Sequence, residues 1–322
     1  MAMNRCFLAN LQDHRTNLFR ITRGFKRLRT VKNDKPTVSI FSNETGPMPV
    51  RFWRTFGFTV AISGASIAGA AIWEYEKIRT RTYNLIHHIQ LPRIPKRGLR
   101  AEAEAWWRNL TPGERIFIPI CFLNVLVFIA WRIPAFNKTM NLYFTSNPAA
   151  RVVGLPMLLS TFSHYSFWHM AINMYVLHNI STPAVQTLGA EQFVAMYLIS
   201  GVLGNFASHM YKVYLNQAGQ SLGASGSIMG VLGYTCTQFP SAELCLIFLP
   251  MFTFSASQAL KAVIALDLAG AIMRWRVLDH AAHLGGVFTG ILWEKWVNAN
   301  IWQKRKPLLM IWHKFREPPR SN

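Results

Sequence analysis

The chain has 322 residues, 51% of them hydrophobic, and carries 34 lysines and arginines against 14 acidic residues. That is too apolar for an ordinary soluble domain, and several apolar runs approach the roughly 20 residues that a helix needs to cross a bilayer. The basic residues flank these runs and crowd the N-terminus, as topology and targeting signals do, which argues against nucleic-acid binding. We therefore expect a helical membrane protein that contacts the lipid bilayer and binds no nucleic acid.

The N-terminal region is rich in arginine and poor in acidic residues. Residues 1–55 carry eleven lysines and arginines against three acidic residues, interleaved with leucine, isoleucine and phenylalanine. This pattern resembles a mitochondrial transit peptide, whereas a secretory signal would need an apolar stretch here. We predict a transit peptide and basic tail over residues 1–50; a disordered basic tail is the alternative.

Hydropathy predicts one N-terminal span and then six closely spaced spans. Residues 56–73 are uncharged and rich in small residues, so we place an extra transmembrane span over 51–75. A polar connector follows over 76–114. The remaining spans lie near 116–131, 166–183, 192–211, 224–240, 255–273 and 280–296, with an interfacial or partly inserted piece at 244–250. We expect an all-α, polytopic membrane protein with a six-helix core over 115–296 (a 1+6 arrangement) and a basic tail over 297–322.

Polar groups are expensive inside a span and are therefore candidates for function. His164, His169 and Asn173 follow the pattern H-x4-H-x3-N. His169 and Asn173 are four residues apart, so on a helix they share one face. An imidazole and a carboxamide on one face are two donors suited to a developing oxyanion. Hydrogen bonding between helices is the commoner role of such residues and stays open.

A cradle of small residues surrounds Ser225, between Gly223 and Gly226. An apolar helix is predicted to begin at the serine, so its backbone N–H would lack an intrahelical partner and could face a bound substrate. The pattern is not the Gly-x-Ser-x-Gly of soluble hydrolases, because residue 227 is serine. Gly226 and Gly230 also form a small-xxx-small packing face, which is the alternative interpretation.

The last span carries a second face of this kind, Gly286 and Gly290, one turn from His283. If the two glycine faces pack together, Ser225 and His283 meet as nucleophile and general base. An even number of predicted spans lies between the N-terminus and Ser225. The start of the Ser225 helix should therefore lie on the same side of the membrane as the N-terminus.

Two acidic residues near His283 in the sequence are predicted to have structural roles. Asp279, four residues before it, is expected at a helix start or at the interface, and orientation of His283 is the alternative. Asp267, within the preceding span, is expected to make an interhelical bond.

Together, the motifs at 164–173, 223–226 and 282–290 resemble those of the rhomboid family of intramembrane serine proteases. They follow one another in the family's order and lie on the expected transmembrane spans. The resemblance covers roughly 115–296, and the arginine-rich start and extra span resemble its mitochondrial, presenilin-associated rhomboid-like branch. It implies a Ser225–His283 dyad whose imidazole is held by neighbouring packing and not by a carboxylate. It also implies an oxyanion hole of His169, Asn173 and the Ser225 N–H, with His164, Gly223, Gly226, Gly286 and Gly290 in supporting roles.

The same resemblance implies no cofactor and no metal, an inner mitochondrial membrane location, and single-span membrane proteins as substrates; it gives no oligomeric state. Two departures stand out. The Trp131–Arg132 pair lies at the end of a span, whereas many bacterial rhomboids carry such a pair in the long first loop. Met229 stands where many have a tyrosine stacked on the histidine, so the support of the imidazole must differ here.

Two other functions remain open. A membrane metal enzyme or transporter could use His280 with His283, or His164 with His169, whose spacings permit ligation. A catalytically inactive protein of rhomboid fold could instead bind transmembrane clients.

Overall fold

The computed structural model describes residues 48–86, 98–217, 219–246 and 249–316. The predicted transit peptide and basic tail at 1–50 lie almost entirely outside these residues, as do the middle of the connector and the last six residues of the tail. The helices in chain order are α1 (Met48–Ile86), α2 (Leu99–Asn109), α3 (Pro112–Ala130), α4 (Asn137–Tyr143), α5 (Gly154–Leu159), α6 (Phe167–Leu188), α7 (Ala190–Tyr214), α8 (Ser225–Gln238), α9 (Ala256–Ile272), α10 (His280–Leu292) and α11 (Lys306–Arg316). Short 3-10 turns lie at Pro134–Phe136 and Ser160–Phe162, and a π-helical segment, Trp293–Trp302, continues α10.

The predicted all-α membrane architecture is confirmed. Each of the six predicted core spans coincides with a helix, in order α3, α6, α7, α8, α9 and α10, and the extra N-terminal span coincides with α1. Within the described ranges, three helices are long and apolar enough to cross a membrane by length and composition: Phe52–Ile86, Pro112–Ala130 and Ala190–Tyr214.

Helix α1 continues as far as Ile86, well past the apolar segment that ends near residue 73. Hydropathy detects only the part of a helix that suits lipid, whereas residues 74–86 contain neither glycine nor proline and so can prolong the helix. The polar extension contacts the C-terminal part of the chain. Arg305 donates to Glu74 at 2.5 Å, and the Trp312 indole donates to Glu76 at 2.9 Å.

The described residues of the piece predicted to be interfacial at 244–250 belong to two β-strands. Strands β1 (Glu243–Leu246) and β2 (Leu249–Ser255) pair antiparallel, with Glu243 opposite Ser255. Phenylalanine and threonine in β2 favour a strand, and Pro240, just after α8, cannot prolong that helix. Ser255 then caps α9 by accepting the Gln258 N–H at 3.2 Å.

Three helices meet backbone to backbone at the centre of the core. A Cβ added at Gly204 in α7 would lie 2.7 Å from the Ala282 carbonyl oxygen of α10 and 3.6 Å from Gly226 Cα in α8. One added at Gly285 would lie 3.0 Å from Gly204 Cα. Such close approach requires small residues, because a side chain would hold the helices apart.

Helix α1 runs antiparallel to α7. The rings of Phe52 and Phe56 lie 6.1 and 6.2 Å from that of Phe206, in the second half of α7. At the other end of α1, Lys77 pairs at 2.5 Å with the buried Glu191, in the first turn of α7. Because α8 starts after the loop that follows α7, the described start of α1 and the start of α8 lie at the same end of the bundle.

Candidate active site

Ser225 is the first residue of α8, and the loop before it depends on Gly223. That glycine has φ +135°, which L side chains rarely adopt. A Cβ there would lie 2.9 Å from Cε1 and 3.2 Å from Nε2 of His169. The Gly223 N–H donates to the Ser160 carbonyl at 3.0 Å, which anchors the loop. The chain thus presents a half-buried serine at a helix start, beside the His169 ring.

His283 lies in the first turn of α10, and its Nε2 is 2.9 Å from Ser225 Oγ. This is an ordinary hydrogen-bond distance, and the serine hydroxyl can donate to the ring nitrogen. His283 is buried, whereas Ser225 is half-buried. The sequence predicts that these two residues meet, and the structure brings them within hydrogen-bonding distance.

The glycine faces explain how helices far apart in sequence bring the pair together. A Cβ at Gly286 would collide with the Gly226 carbonyl and lie 3.3 Å from Gly226 Cα. A Cβ at Gly290 would collide with the Gly230 carbonyl in the same way. Gly286 and Gly290 therefore lie directly against the backbone of their predicted partners in α8.

The imidazole of His283 also contacts a carboxylate that the sequence analysis did not assign to it. Asp267, in α9 and 3% exposed, has Oδ1 at 3.1 Å from His283 Nδ1 and at 2.7 Å from His280 Nδ1. The predicted interhelical bond of Asp267 is present. The expectation that packing alone holds the imidazole is wrong, because the carboxylate contacts the ring nitrogen away from Ser225. The available signal was an acidic residue in the middle of a span.

The three residues of the H-x4-H-x3-N pattern take different positions. His164 Nε2 accepts the Ala224 N–H at 3.3 Å, so it supports the loop before Ser225. Its ring meets that of His169 edge to face, with centroids 4.9 Å apart. Asn173 is buried one turn beyond His169, and its amide donates to the His169 carbonyl at 2.7 Å. The structure therefore places His169 at the serine and Asn173 behind it, engaged with its own helix.

The Trp131–Arg132 pair contacts the two residues on either side of His164. The Trp131 indole donates to Ser163 Oγ and Arg132 donates to the Tyr165 carbonyl, both at 2.8 Å. The pair therefore braces the chain on either side of His164.

A cavity of about 580 Å³ opens beside Ser225 and His283. His169, Lys212, Asp279 and His280 are among its lining residues. A space of this size next to the serine, lined by both polar and apolar residues, can admit water and part of a polypeptide.

Asp279 closes one side of this cavity and caps α10. Its carboxylate accepts the Ala282 N–H at 3.1 Å and the Ser208 hydroxyl at 2.6 Å, and it contacts Ser221 and Lys212, the latter at 3.2 Å. Burial acts to raise the pKa of Asp279, but the charge of Lys212 and the hydrogen bonds outweigh it and hold the pKa below its usual value. The predicted helix-start role of Asp279 is confirmed.

Within the described part of the chain, no group of three or more histidine, cysteine, aspartate or glutamate side chains has the arrangement of a metal site. The metal-enzyme alternative therefore gains no support from these residues.

Comparisons with known proteins agree on one family. The model of the Rhomboid domain matches residues 153–298. The chain is similar to "Presenilin-associated rhomboid-like protein, mitochondrial" of Rattus norvegicus, with 49% identity over 277 residues that cover 84% of this chain and 74% of that protein. The protein of the same name from Homo sapiens is 48% identical over 277 residues, covering 84% and 73%. "Rhomboid protein 1, mitochondrial" of Saccharomyces cerevisiae is 33% identical over 198 residues, covering 61% and 57%.

Proposed function

Because the chain belongs to the rhomboid family, we propose that it is an intramembrane serine protease with Ser225 as nucleophile and His283 as general base. The observation that carries this proposal is the 2.9 Å contact between Ser225 Oγ and His283 Nε2 beside a cavity lined in part by polar side chains. A hydroxyl is a weak nucleophile until a base accepts its proton, and this contact supplies the base.

The reaction follows the chemistry of acyl transfer. Ser225 Oγ attacks the carbonyl carbon of a peptide bond while His283 Nε2 accepts the hydroxyl proton, and the imidazolium then gives that proton to the leaving amine. Water from the cavity hydrolyses the acyl-enzyme in the second half of the cycle, again with His283 as base.

The oxyanion of the tetrahedral intermediate needs preorganised donors. The backbone N–H of Ser225 belongs to the first residue of α8 and has no intrahelical acceptor. The His169 ring packs against Gly223 beside the serine, and it supplies a second donor. Asn173 serves as a third only if its amide leaves the His169 carbonyl, so we assign it the smaller part.

The substrates follow from the place of the site. A serine within a membrane bundle meets polypeptides that lie in the bilayer, so we propose the transmembrane segments of single-span proteins as substrates. A helical backbone resists proteolysis because its carbonyls are hydrogen-bonded, so substrates should carry helix-weakening residues near the cut. The arginine-rich start and the relatives' printed names favour a mitochondrial location, which we propose to be the inner membrane.

The test is cleavage of a single-span substrate reconstituted with the protein in liposomes. Ser225→Ala should abolish cleavage, and a fluorophosphonate probe should label the wild type but not this variant. Ser227→Ala is the matched control, because this neighbouring serine is buried and has no hydrogen-bond partner among the described residues. Undiminished cleavage by Ser225→Ala would refute the assignment. A folded wild type that binds substrate without cutting it would favour the client-binding alternative.

A further inference from the structure

The segment that joins α9 to α10 forms one wall of the cavity beside Ser225. Residues 275–278 of this segment line the cavity, and three of them are large, exposed apolar side chains: Trp275, Val277 and Leu278. The fourth is Arg276, which is exposed as well. A guanidinium is not deprotonated in proteins, so this wall carries a permanent positive charge among apolar groups.

The backbone is fixed on both sides of Arg276. The Trp275 N–H donates to the Gly270 carbonyl at 2.9 Å, and the Trp275 ring packs edge to face on the buried His280, with centroids 5.9 Å apart. Three residues after Arg276, Asp279 caps the start of α10. A segment anchored at both ends loses little backbone freedom when a ligand binds, so the charge is preorganised.

Within the described residues, Arg276 forms no ion pair with a carboxylate. Two carboxylates lie near the cavity, and both are engaged elsewhere. Asp279 contacts Lys212 at 3.2 Å, so these two charges offset each other. Asp267 contacts two imidazoles of α10 at 2.7 and 3.1 Å. The charge of Arg276 is therefore left without a compensating anion at the cavity.

We propose that Arg276 is a specificity-determining residue that binds an acidic side chain of the substrate, aspartate or glutamate, close to the cleaved bond. The inference rests on the proposed protease function and concerns which transmembrane proteins are cut. A guanidinium holds a carboxylate through two parallel hydrogen bonds, while the apolar side chains beside Arg276 contact apolar residues of the substrate. A charged residue is costly in the middle of a span, so the acidic residue should lie at the end of the substrate's transmembrane segment.

The size of the cavity limits the distance between the acidic residue and the cut. Arg276 and Ser225 line the same cavity of about 580 Å³, which measures on the order of 10 Å across. An extended chain covers that distance in about three residues. We therefore expect the acidic residue within about four residues of the cleaved bond.

The test compares a single-span substrate that carries one aspartate with the same substrate carrying asparagine at that position. The aspartate is placed in turn at each position within about four residues of the cut, and cleavage is measured in phosphatidylcholine liposomes, which carry no net charge. At one position or at two neighbouring positions, aspartate should raise kcat/KM by about 3- to 10-fold, the size of an exposed to half-buried ion pair. The change should lie in KM, because the pair forms before the reaction. Salt at about 1 M should reduce the preference.

Variants of Arg276 then test whether this residue reads the charge. Arg276→Gln should bring the ratio of kcat/KM for the aspartate and asparagine substrates to about one, and Arg276→Glu should favour lysine at the same position. Arg274→Gln is the matched control and should keep the preference, because Arg274 is exposed in the same segment but does not line the cavity. A wild type without a preference would overturn the proposal. So would an Arg276→Gln variant that lowers kcat/KM for both substrates alike and keeps their ratio.

A binding measurement separates this inference from the proposed protease function. Ser225→Ala protein in the same liposomes is titrated with a fluorophore-labelled transmembrane peptide that carries either aspartate or asparagine, and this readout needs no turnover. Binding of the aspartate peptide should be about 3- to 10-fold tighter, and the difference should vanish when Arg276→Gln is added. A wild type that cuts nothing while this difference persists would sink the protease proposal and leave the charge recognition intact. Cleavage of both substrates at one rate and equal binding of both peptides would do the reverse.

Discussion

A single methyl group between α8 and α10 should separate the two proposed catalytic residues. In Gly286→Ala the new carbon would lie 3.0 Å from the Gly226 carbonyl carbon, 3.3 Å from its Cα and closer still to its oxygen. The Gly226 carbonyl oxygen would overlap the new carbon, so the two backbones must part by roughly 1 Å to restore ordinary nonbonded contact. No side-chain rotation relieves the contact, because every clashing atom belongs to a backbone.

The magnitude follows from the geometry of the Ser225–His283 pair. Their 2.9 Å contact lies one turn from Gly286, so a shift of roughly 1 Å takes it beyond hydrogen-bonding distance. A displacement of that size costs on the order of 100-fold in kcat. Overpacking should also reduce stability by about 1–3 kcal/mol. Gly290→Ala, one turn further along, should reduce stability as much but kcat less.

The assay combines cleavage kinetics in liposomes with thermal unfolding in detergent. Gly64→Ala in α1 is the matched control, because a Cβ there has nothing within 4 Å. It should leave kcat unchanged and the melting temperature equal or higher, since alanine is the better helix former. If Gly286→Ala kept a wild-type kcat and melting temperature, glycine contact would not be what holds the pair together.

Two further predictions concern charge. The pKa of Asp279 is held below its usual value of about 3.9, so its contact with Lys212 stabilises the folded protein above about pH 4 and is lost as the pH falls through the lowered pKa. The melting-temperature difference between wild type and Asp279→Asn should therefore be constant near pH 7 and shrink towards pH 3. A difference independent of pH would contradict this. Glu191→Gln leaves Lys77 without its buried 2.5 Å partner, so the free energy of unfolding measured by chemical denaturation should fall by about 1–3 kcal/mol. Glu104→Gln, in an exposed pair, should change it by no more than about 0.5 kcal/mol. Equal effects of the two variants would contradict this prediction.

The helical core was predictable because its signals are local. Each span is a run of apolar residues bounded by charge, and Glu191 marks the start of α7 much as hydropathy suggests. The glycine faces were predictable for a similar reason, since residues four apart lie on one side of a helix whatever surrounds it. The contact between Gly286 and Gly226 could be predicted from the single assumption that helix faces made of small residues pack against each other. Hydropathy could not show that α1 extends to Ile86, because a polar extension looks like a connector.

The sequence could not identify the side chains that contact Asp267. Their identity depends on how α9 and α10 are rotated about their axes and on the turn between the two helices. An acidic residue in a span predicts that a polar partner exists, but every histidine of the core was a candidate by sequence. The choice is made where α9 and α10 face each other. Gly270 leaves room for the His280 ring on the side of α9 that carries Asp267, and His283 follows His280 by one turn. With Met229 in place of a stacking tyrosine, the ring of His283 still needs support, and the carboxylate at 3.1 Å supplies it.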